Sequence, residues 1–320
     1  MPISYSLVST APDALETPLL VVVLPADPTL PVGLNGLDAK MQGALSRTLA
    51  RRDFRGGRDE TMLFVGGDSG VQRVLFVGRG SAPLTRTTAR RAASIAARPA
   101  GKVGVSSLHL LLSEAEPTHV EGLVIGAGAG SWSYPDLQTQ PPEKDRRAKL
   151  TSVAVLASDT AEMRAALAAG VAIAEGQAIA KRLGQMPGNY CTPDTFVEVG
   201  REIAERHGMG ISVLGRREMA ELEMGSFLCV AQGTTQEPRL VALEYKGGAP
   251  DQQPVVLIGK GLCFDTGGIS IKPAPEMEWM KFDMSGAGGV MGAMEAIGQL
   301  KLPINVVGII GSTTNMPSGE

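Results

Sequence analysis

Histidine is close to absent from this chain. Only His109, His119 and His207 occur in 320 residues, none lies near the charged segment described below, and no HExxH pattern is present. That disfavours zinc hydrolysis built on histidine ligands. A Ser–His–Asp arrangement is not excluded by spacing, because triads assemble in three dimensions, but no GxSxG elbow occurs. The three histidines read as surface or satisfied core residues. Cysteine is equally sparse: Cys191, Cys229 and Cys263 are widely spaced and odd in number, which fits neither a disulfide framework nor a zinc cluster. Charge of one sign is lacking too, with 30 Lys and Arg against 33 Asp and Glu and a net charge of −3. Nothing there draws the chain to nucleic acid or to an anionic membrane in bulk. The apolar run Leu19 to Pro25 is far too short to cross a bilayer, which takes about 20 residues. The opening Met1-Pro2-Ile3-Ser4-Tyr5 lacks a basic segment followed by an apolar core, so no secretory signal is expected. The expectation is a soluble, reducing, cytoplasmic protein.

What is present suits roughly two α/β domains at about 150 residues each, and 43% hydrophobic residues are enough for sizeable cores. Leu19 to Pro25 (LLVVVLP) reads as a strand covered on both faces. Met62 to Val65 and Val74 to Val77 read as strands joined through Gly66-Gly67-Asp68-Ser69-Gly70, which is turn chemistry. Thr85 to Ala97 reads as a helix, Leu108 to Leu112 as a buried strand, Val120 to Gly126 as a helix and Val153 to Ala157 as a strand. Ser131 to Arg147, with Pro135, Pro141 and Pro142, reads either as a linker near a domain boundary or as an ordinary surface loop. Thr160 to Leu183 is alanine-rich and predicts a long helix joining the halves. Thr192-Pro193-Asp194 has the makings of a helix start, and Gly208 of its end. Strands are expected at 211–214, 240–245, 255–259 and 304–310, with a helix from Met284 to Leu300 between the last two. This repetition argues α/β with a largely parallel sheet in the second half.

The chemistry concentrates in Gly259-Lys260-Gly261-Leu262-Cys263-Phe264-Asp265-Thr266-Gly267-Gly268-Ile269-Ser270-Ile271-Lys272 and the following Asp283. Lys260, Asp265, Lys272 and Asp283 fall within 24 residues, the first three among glycines and apolar residues. Charges are rarely placed so without a partner or a metal. Lys260 follows an expected strand, at the end where open α/β sheets place ligands. Carboxylate oxygens suit Mg²⁺, Mn²⁺ and Zn²⁺. A lysine joins such a set only as the neutral amine, a form that burial and a neighbouring dication favour. Lys272, as an ammonium, would stabilise negative charge developing on a substrate oxygen. Plainer readings stand beside these. Asp283 could cap the helix that follows it, Lys260 and Asp265 could be a structural ion pair, and Lys272 a solvated loop residue. Gly286-Ala287-Gly288-Gly289 could cradle a phosphate or serve close helix packing. Met280 and Met284 could be core residues instead of pocket lining.

The stretch GKGLCFDTGGISIKP, followed by KFDMSGAGGVMGAMEAIGQLKLPINVVGIIGSTTNMPSG, closely resembles the leucyl aminopeptidase (cytosol aminopeptidase) family, and Asn189 to Pro193 and Leu243 to Gly247 add to the likeness. The resemblance is clear from about Glu175 to Gly319. It implies that Lys260, Asp265 and Asp283 are ligands of a two-metal centre, with Asp265 bridging. It also implies that Lys272 is the catalytic, substrate-binding lysine at the scissile carbonyl, and that Met280 lines the pocket for the N-terminal side chain. The implied cofactors are two divalent ions, Mn²⁺ or Zn²⁺ with Mg²⁺ as a further fit, and a bicarbonate held by an arginine. The implied activity is release of N-terminal, preferably apolar, residues from peptides. The implied assembly is a homohexamer acting on peptides; it is the composition, not the resemblance, that argues against a membrane or nucleic acid as partner. The implied organisation is an N-terminal macrodomain-like α/β domain over 1–150, a linking helix region over 151–185, and a mostly parallel-sheet α/β catalytic domain, incomplete here, over 186–320.

The family's NTDAEGR motif, which supplies one more Asp, a Glu and the arginine, does not occur in this sequence. Relative to the family the chain therefore reads as C-terminally truncated. Taken alone it is expected to hold metals poorly, to hydrolyse peptides slowly or not at all, and to leave a sheet edge unpaired. An alternative is a catalytically inactive homologue acting as an assembly or DNA-binding protein. A nucleotide-binding role for the macrodomain-like half rests on fold analogy alone.

Overall fold

The computed structural model describes residues 3–66 and 69–318. Gly67 and Asp68 of the expected turn, and Gly319 of the terminal resemblance, lie outside the described residues. The chain divides into two compact units, Met1–Ala174 and Glu175–Glu320.

The first unit is built on a six-stranded sheet. Its chain order is β1 (Ser4–Val8), β2 (Leu20–Leu24), α1 (Asn35–Lys40), α2 (Ala44–Ala50), β3 (Thr61–Val65), β4 (Arg73–Gly78), α3 (Arg86–Val103), β5 (Ser107–Leu111), α4 (Pro117–Ser131) and β6 (Ser152–Leu156). The spatial order is β1-β6-β5-β2-β4-β3, all parallel except β3, which runs against β4. The alternation of side chains along β2 explains why its run is apolar throughout. Val21 and Val23 pack with Ala89, Ala92, Ala96 and Leu123 of α3 and α4, while Leu20, Val22 and Leu24 pack with Leu37, Leu45 and Leu49 of α1 and α2. β1 had no sequence signal, since it is a half-exposed edge strand with serines alternating along it. Helix α3 runs past the expected end at Ala97 and through Pro99 to a left-handed cap at Gly104. Burial of Ala96, Ala97 and Ala100 offsets the hydrogen bond that the proline cannot donate.

Helix α5 (Ala161–Gln185) spans the division between the units. The second unit continues with α6 (Pro193–His207), β7 (Gly210–Leu214), α7 (Arg216–Glu221), α8 (Gly225–Leu228), β8 (Arg239–Lys246), β9 (Val255–Asp265), α9 (Ser285–Leu300) and β10 (Asn305–Asn315). As the sequence suggests, α6 starts at Pro193 and ends on Gly208 in the left-handed conformation.

The α/β class stands, but the sheet of this unit is mixed and not largely parallel. Its order is β7-β8-β10-β9, with β9 and β10 parallel and the β7–β8 and β8–β10 pairs antiparallel. Apolar periodicity marks a strand without giving its direction. The short connection over 247–254 reverses the chain between β8 and β9, so β10, lying between them, must oppose one of them.

β9 also differs from the expected buried strand. Among the described residues it pairs only with β10, and Val255, Val256 and Ile258 are exposed. Helix α9 is locked in place from two sides. A Cβ on Gly176 of α5 would strike the Gly292 carbonyl oxygen of α9, and one on Gly292 would strike the Gly176 carbonyl. Among the described residues no helix is long and apolar enough to cross a membrane.

Candidate metal and substrate site

β9 and β10 both run further than their apolar patterns suggest, because Gly259, Gly261, Gly308 and Gly311 interrupt those patterns. As a result Lys260 lies within β9 instead of following it, and Asp265 is the strand's last residue. Residues five apart on a regular strand face opposite ways. Here the register slips: Gly311 pairs with Lys260 and Asn315 with Asp265, so β9 spends one residue more than β10 over this stretch. That bulge returns Lys260 and Asp265 to one face.

Beyond Asp265 the chain doubles back. Gly267 and Gly268 have φ of 90° and 71°, a region that glycine enters without strain. A Cβ on Gly267 would strike the Ser270 carbonyl oxygen. The backbone N–H of Lys272 then donates to the Thr266 carbonyl at 2.9 Å, closing the loop over Asp265.

The loop delivers Lys272 to Asp265. The ammonium donates to Asp265 Oδ2 at 2.5 Å and touches Met280 Sδ at 3.2 Å. Oδ1 of the same carboxylate accepts from the Gly267 N–H at 2.9 Å and from Asn315 Nδ2 at 2.8 Å. Asp265 is 9% exposed. Its burial alone would raise the carboxyl pKa; the Lys272 ammonium, the Gly267 N–H and the Asn315 amide together hold it below the ordinary carboxylate range.

The second carboxylate arrives from the helix side. Gly259 and Gly286 allow the first turn of α9 to lie directly on the β9 backbone. A Cβ on Gly259 would come within 2.7 Å of Ala287 Cα, and one on Gly286 within 3.0 Å of the Lys260 nitrogen. Close packing is therefore what these glycines serve. Asp283, two residues before α9, meets Lys260: Nζ lies 2.9 Å from Oδ2. Oδ2 is itself buried, and among the described residues it has this ion pair and no regular hydrogen bond. Asp283 does not cap α9, whose cap position is Met284 with no side-chain bond. Nor do Lys260 and Asp265 pair with each other; the ion pairs are Lys260–Asp283 and Asp265–Lys272. Met284 is core, while Met280 touches the lysine.

Around Lys272 the surface is apolar. Ile269, Ile271 and Trp279 are exposed, and Trp279 stacks on Phe282 at 5.6 Å between ring centres. Asn315 is the site residue that the sequence reading passed over. Its signal was its place in the terminal motif, but only the ladder register sets it opposite Asp265.

Among the described residues no group of three His, Cys, Asp or Glu is gathered to hold a metal. The available donors are two carboxylates and a lysine amine. The buried Asp283 Oδ2 fits a cation, because a desolvated carboxylate oxygen needs positive charge or a hydrogen bond, and here the positive charge comes from a lysine that is itself largely exposed.

Comparisons with known proteins bear on what this geometry serves. The model of the cytosol aminopeptidase family's catalytic domain matches residues 178–320, and that of the same family's N-terminal domain matches residues 21–141. A "Probable cytosol aminopeptidase" of Alkalilimnicola ehrlichii is 36% identical over 99% of this chain and 66% of its own length. One of Nitrosomonas europaea is 38% identical over 89% of this chain and 59% of its own. The chain thus spans 65–66% of the length of the first curated relatives it matches. Among solved structures, the bottromycin maturation enzyme BotP in complex with Mn superposes with a TM-score of 0.78 at 30% identity, covering 95% of this chain and 61% of that one. A tomato leucine aminopeptidase mutant has the same fold, with a TM-score of 0.82 at 24% identity, covering 100% of this chain and 64% of that one.

Proposed function

The chain belongs to the cytosol aminopeptidase family, and we propose that it carries the lysine-containing part of a divalent-metal centre used to release N-terminal residues, preferably apolar ones, from peptides. The observation that carries this reading is the pairing of two lysines with two carboxylates, Lys260 on Asp283 at 2.9 Å and Lys272 on Asp265 at 2.5 Å, with the carboxylate side chains only 23% and 13% exposed. Lys260, Asp265 and Asp283 would hold Mn²⁺ or Zn²⁺, with Mg²⁺ also suited to the oxygens. Divalent cations bound there would acidify a water and polarise a peptide carbonyl.

Lys272 contributes a positive charge. Its ammonium is held on Asp265 Oδ2, and with a cation on that oxygen it would be free to pair with the substrate's carbonyl oxygen and stabilise negative charge there. Met280 lies against Lys272, so a side chain seated beside the reacting carbonyl meets an apolar, adaptable wall. That supports the preference for leucine-like residues. Bicarbonate is not assigned to any residue here, because the arginine that the resemblance pairs with it belongs to a motif absent from this sequence. The domain organisation in this reading is a macrodomain-like 1–150, a linking 151–185 and a catalytic 186–320, with the first boundary moved past β6, since Ser152–Leu156 is an inner strand of the first sheet. The homohexamer and the cytoplasmic location belong to the same proposal.

The test is release of chromophore from a leucine anilide with added Mn²⁺, with chelator as control, alongside calorimetric titration of the cation. The expected result is weak Mn²⁺ binding that is weakened further in Asp283→Asn, and a slow Mn²⁺-dependent hydrolysis that is lost in Lys272→Ala. Hydrolysis indifferent to chelator, or cation binding indifferent to Asp283→Asn, refutes the reading.

A further inference from the structure

We infer that Asn315 is a positioning residue for Asp265: it fixes Oδ1 of that carboxylate so that Oδ2 is the oxygen presented to a divalent cation. This rests on the proposal that Asp265 is a cation ligand and adds a residue to it. Asn315 stands opposite Asp265 across the β9–β10 ladder, and its Nδ2 donates to Oδ1 at 2.8 Å. A carboxylate only accepts, so the nitrogen end of the amide must be the end that faces it. The Gly267 N–H donates to the same oxygen at 2.9 Å, so Oδ1 already receives two hydrogen bonds.

Among the described residues, Oδ2 receives only the Lys272 ammonium. A cation reaching Asp265 therefore draws on Oδ2 and displaces Lys272. The hold of Asn315 on Oδ1 keeps the carboxylate from rotating while that exchange takes place.

Asn315 is itself fixed. Its carbonyl oxygen accepts from the Thr266 N–H at 3.0 Å and from Thr266 Oγ1 at 2.8 Å. Its Oδ1 lies where a Cβ on Gly268 would come within 2.7 Å of it, so the glycine leaves room for the amide in this orientation. The backbone bonds survive any side-chain substitution at 315, so removing the amide loosens the carboxylate and leaves the loop anchored. Partners that orient a ligating carboxylate typically change metal affinity by about 10- to 100-fold when removed.

The experiment is calorimetric titration of the full chain with MnCl₂ in the absence of substrate, for the parent chain, Asp265→Asn, Asn315→Ala and Asn315→Leu, with thermal unfolding in chelator run in parallel. The expected result is that Asp265→Asn abolishes binding, while both Asn315 variants bind Mn²⁺ about 10- to 100-fold more weakly and stay folded without cation. Should Asn315→Ala not fold, the near-isosteric Asn315→Leu reads the same affinity. If Asp265→Asn abolishes binding while both Asn315 variants hold Mn²⁺ as the parent does, the positioning role is overturned and the metal site stands. If the parent binds no Mn²⁺, or Asp265→Asn binds it equally well, the metal reading itself fails.

Discussion

Asp283→Asn should separate cation binding from the stability of the fold. In the cation-free protein Asp283 contributes little to the fold. Its Oδ2 is buried without a hydrogen bond, which costs free energy. Its partner Lys260 has a side chain 61% exposed, and an ion pair so open to solvent is worth about 0–1 kcal/mol. Replacing the carboxylate by an amide of the same shape removes the ion pair and the buried charge and leaves a neutral polar atom in their place, so the cation-free stability should change by no more than about 1 kcal/mol, with either sign allowed.

With a divalent cation the balance reverses. A ligand at 100 times its dissociation constant stabilises the folded state by about 2.7 kcal/mol. For a unit of this size each kcal/mol moves the melting temperature by about 2–4 °C. Mn²⁺ should therefore raise the melting point of the parent chain by about 5–11 °C and leave that of Asp283→Asn nearly where it was. Circular dichroism melts with Mn²⁺ and with chelator provide the assay. An equal Mn²⁺ shift in both proteins, or a loss of more than about 2 kcal/mol in cation-free Asp283→Asn, would refute the reasoning that the site keeps an unsatisfied carboxylate for a cation.

Other substitutions probe how the site is held. Gly292→Ala gains about 1 kcal/mol of helix propensity but drives a methyl into the Gly176 carbonyl oxygen. Overpacking of about 1–3 kcal/mol should win, and the urea midpoint should fall; a rise would show that α5 and α9 part freely. Burial would push the Glu295 carboxyl pKa up, but Arg206 and His207 together hold it below its usual range, bonded at 2.7 and 3.0 Å. A depressed carboxyl stabilises the fold above its unfolded pKa, and that stabilisation is lost as pH falls through the folded one. Glu295→Gln should therefore destabilise at pH near 7, with the difference from the parent shrinking below about pH 4; a pH-independent difference in urea midpoints would contradict this. Met280→Ala should raise KM for a leucine anilide more than it lowers kcat, because the loss is of binding surface; an unchanged KM would place the side-chain pocket elsewhere.

How much of this was legible in advance depended on whether the signal was local. β2 was legible because a strand covered on both faces must be apolar at every position. The start and end of α6 were legible because Thr192, Pro193 and Gly208 satisfy the termini through neighbouring backbone. β1 was not, since an edge strand needs no apolar face. The ends of β9 and β10 were missed because glycines required by helix contact erase the apolar pattern. The charged residues of the site were visible as a group, since four charges among glycines and apolar residues call for explanation. Their pairing was not: spacing suggested Lys260 with Asp265, whereas a bulge and a returning loop give Lys260 to Asp283 and Lys272 to Asp265.

The amino-acid sequence alone determined the class of the fold, the residues that could bear the chemistry and the family they belong to, because composition, periodicity and ordered motifs are properties of neighbours along the chain. Only the tertiary structure decided which lysine meets which carboxylate, which carboxylate oxygen is buried against a lysine without a regular hydrogen bond, and that Asn315 faces Asp265. Those outcomes turn on strand register and on the closeness of one helix to one strand, where a slip of a single residue moves a side chain to the opposite face.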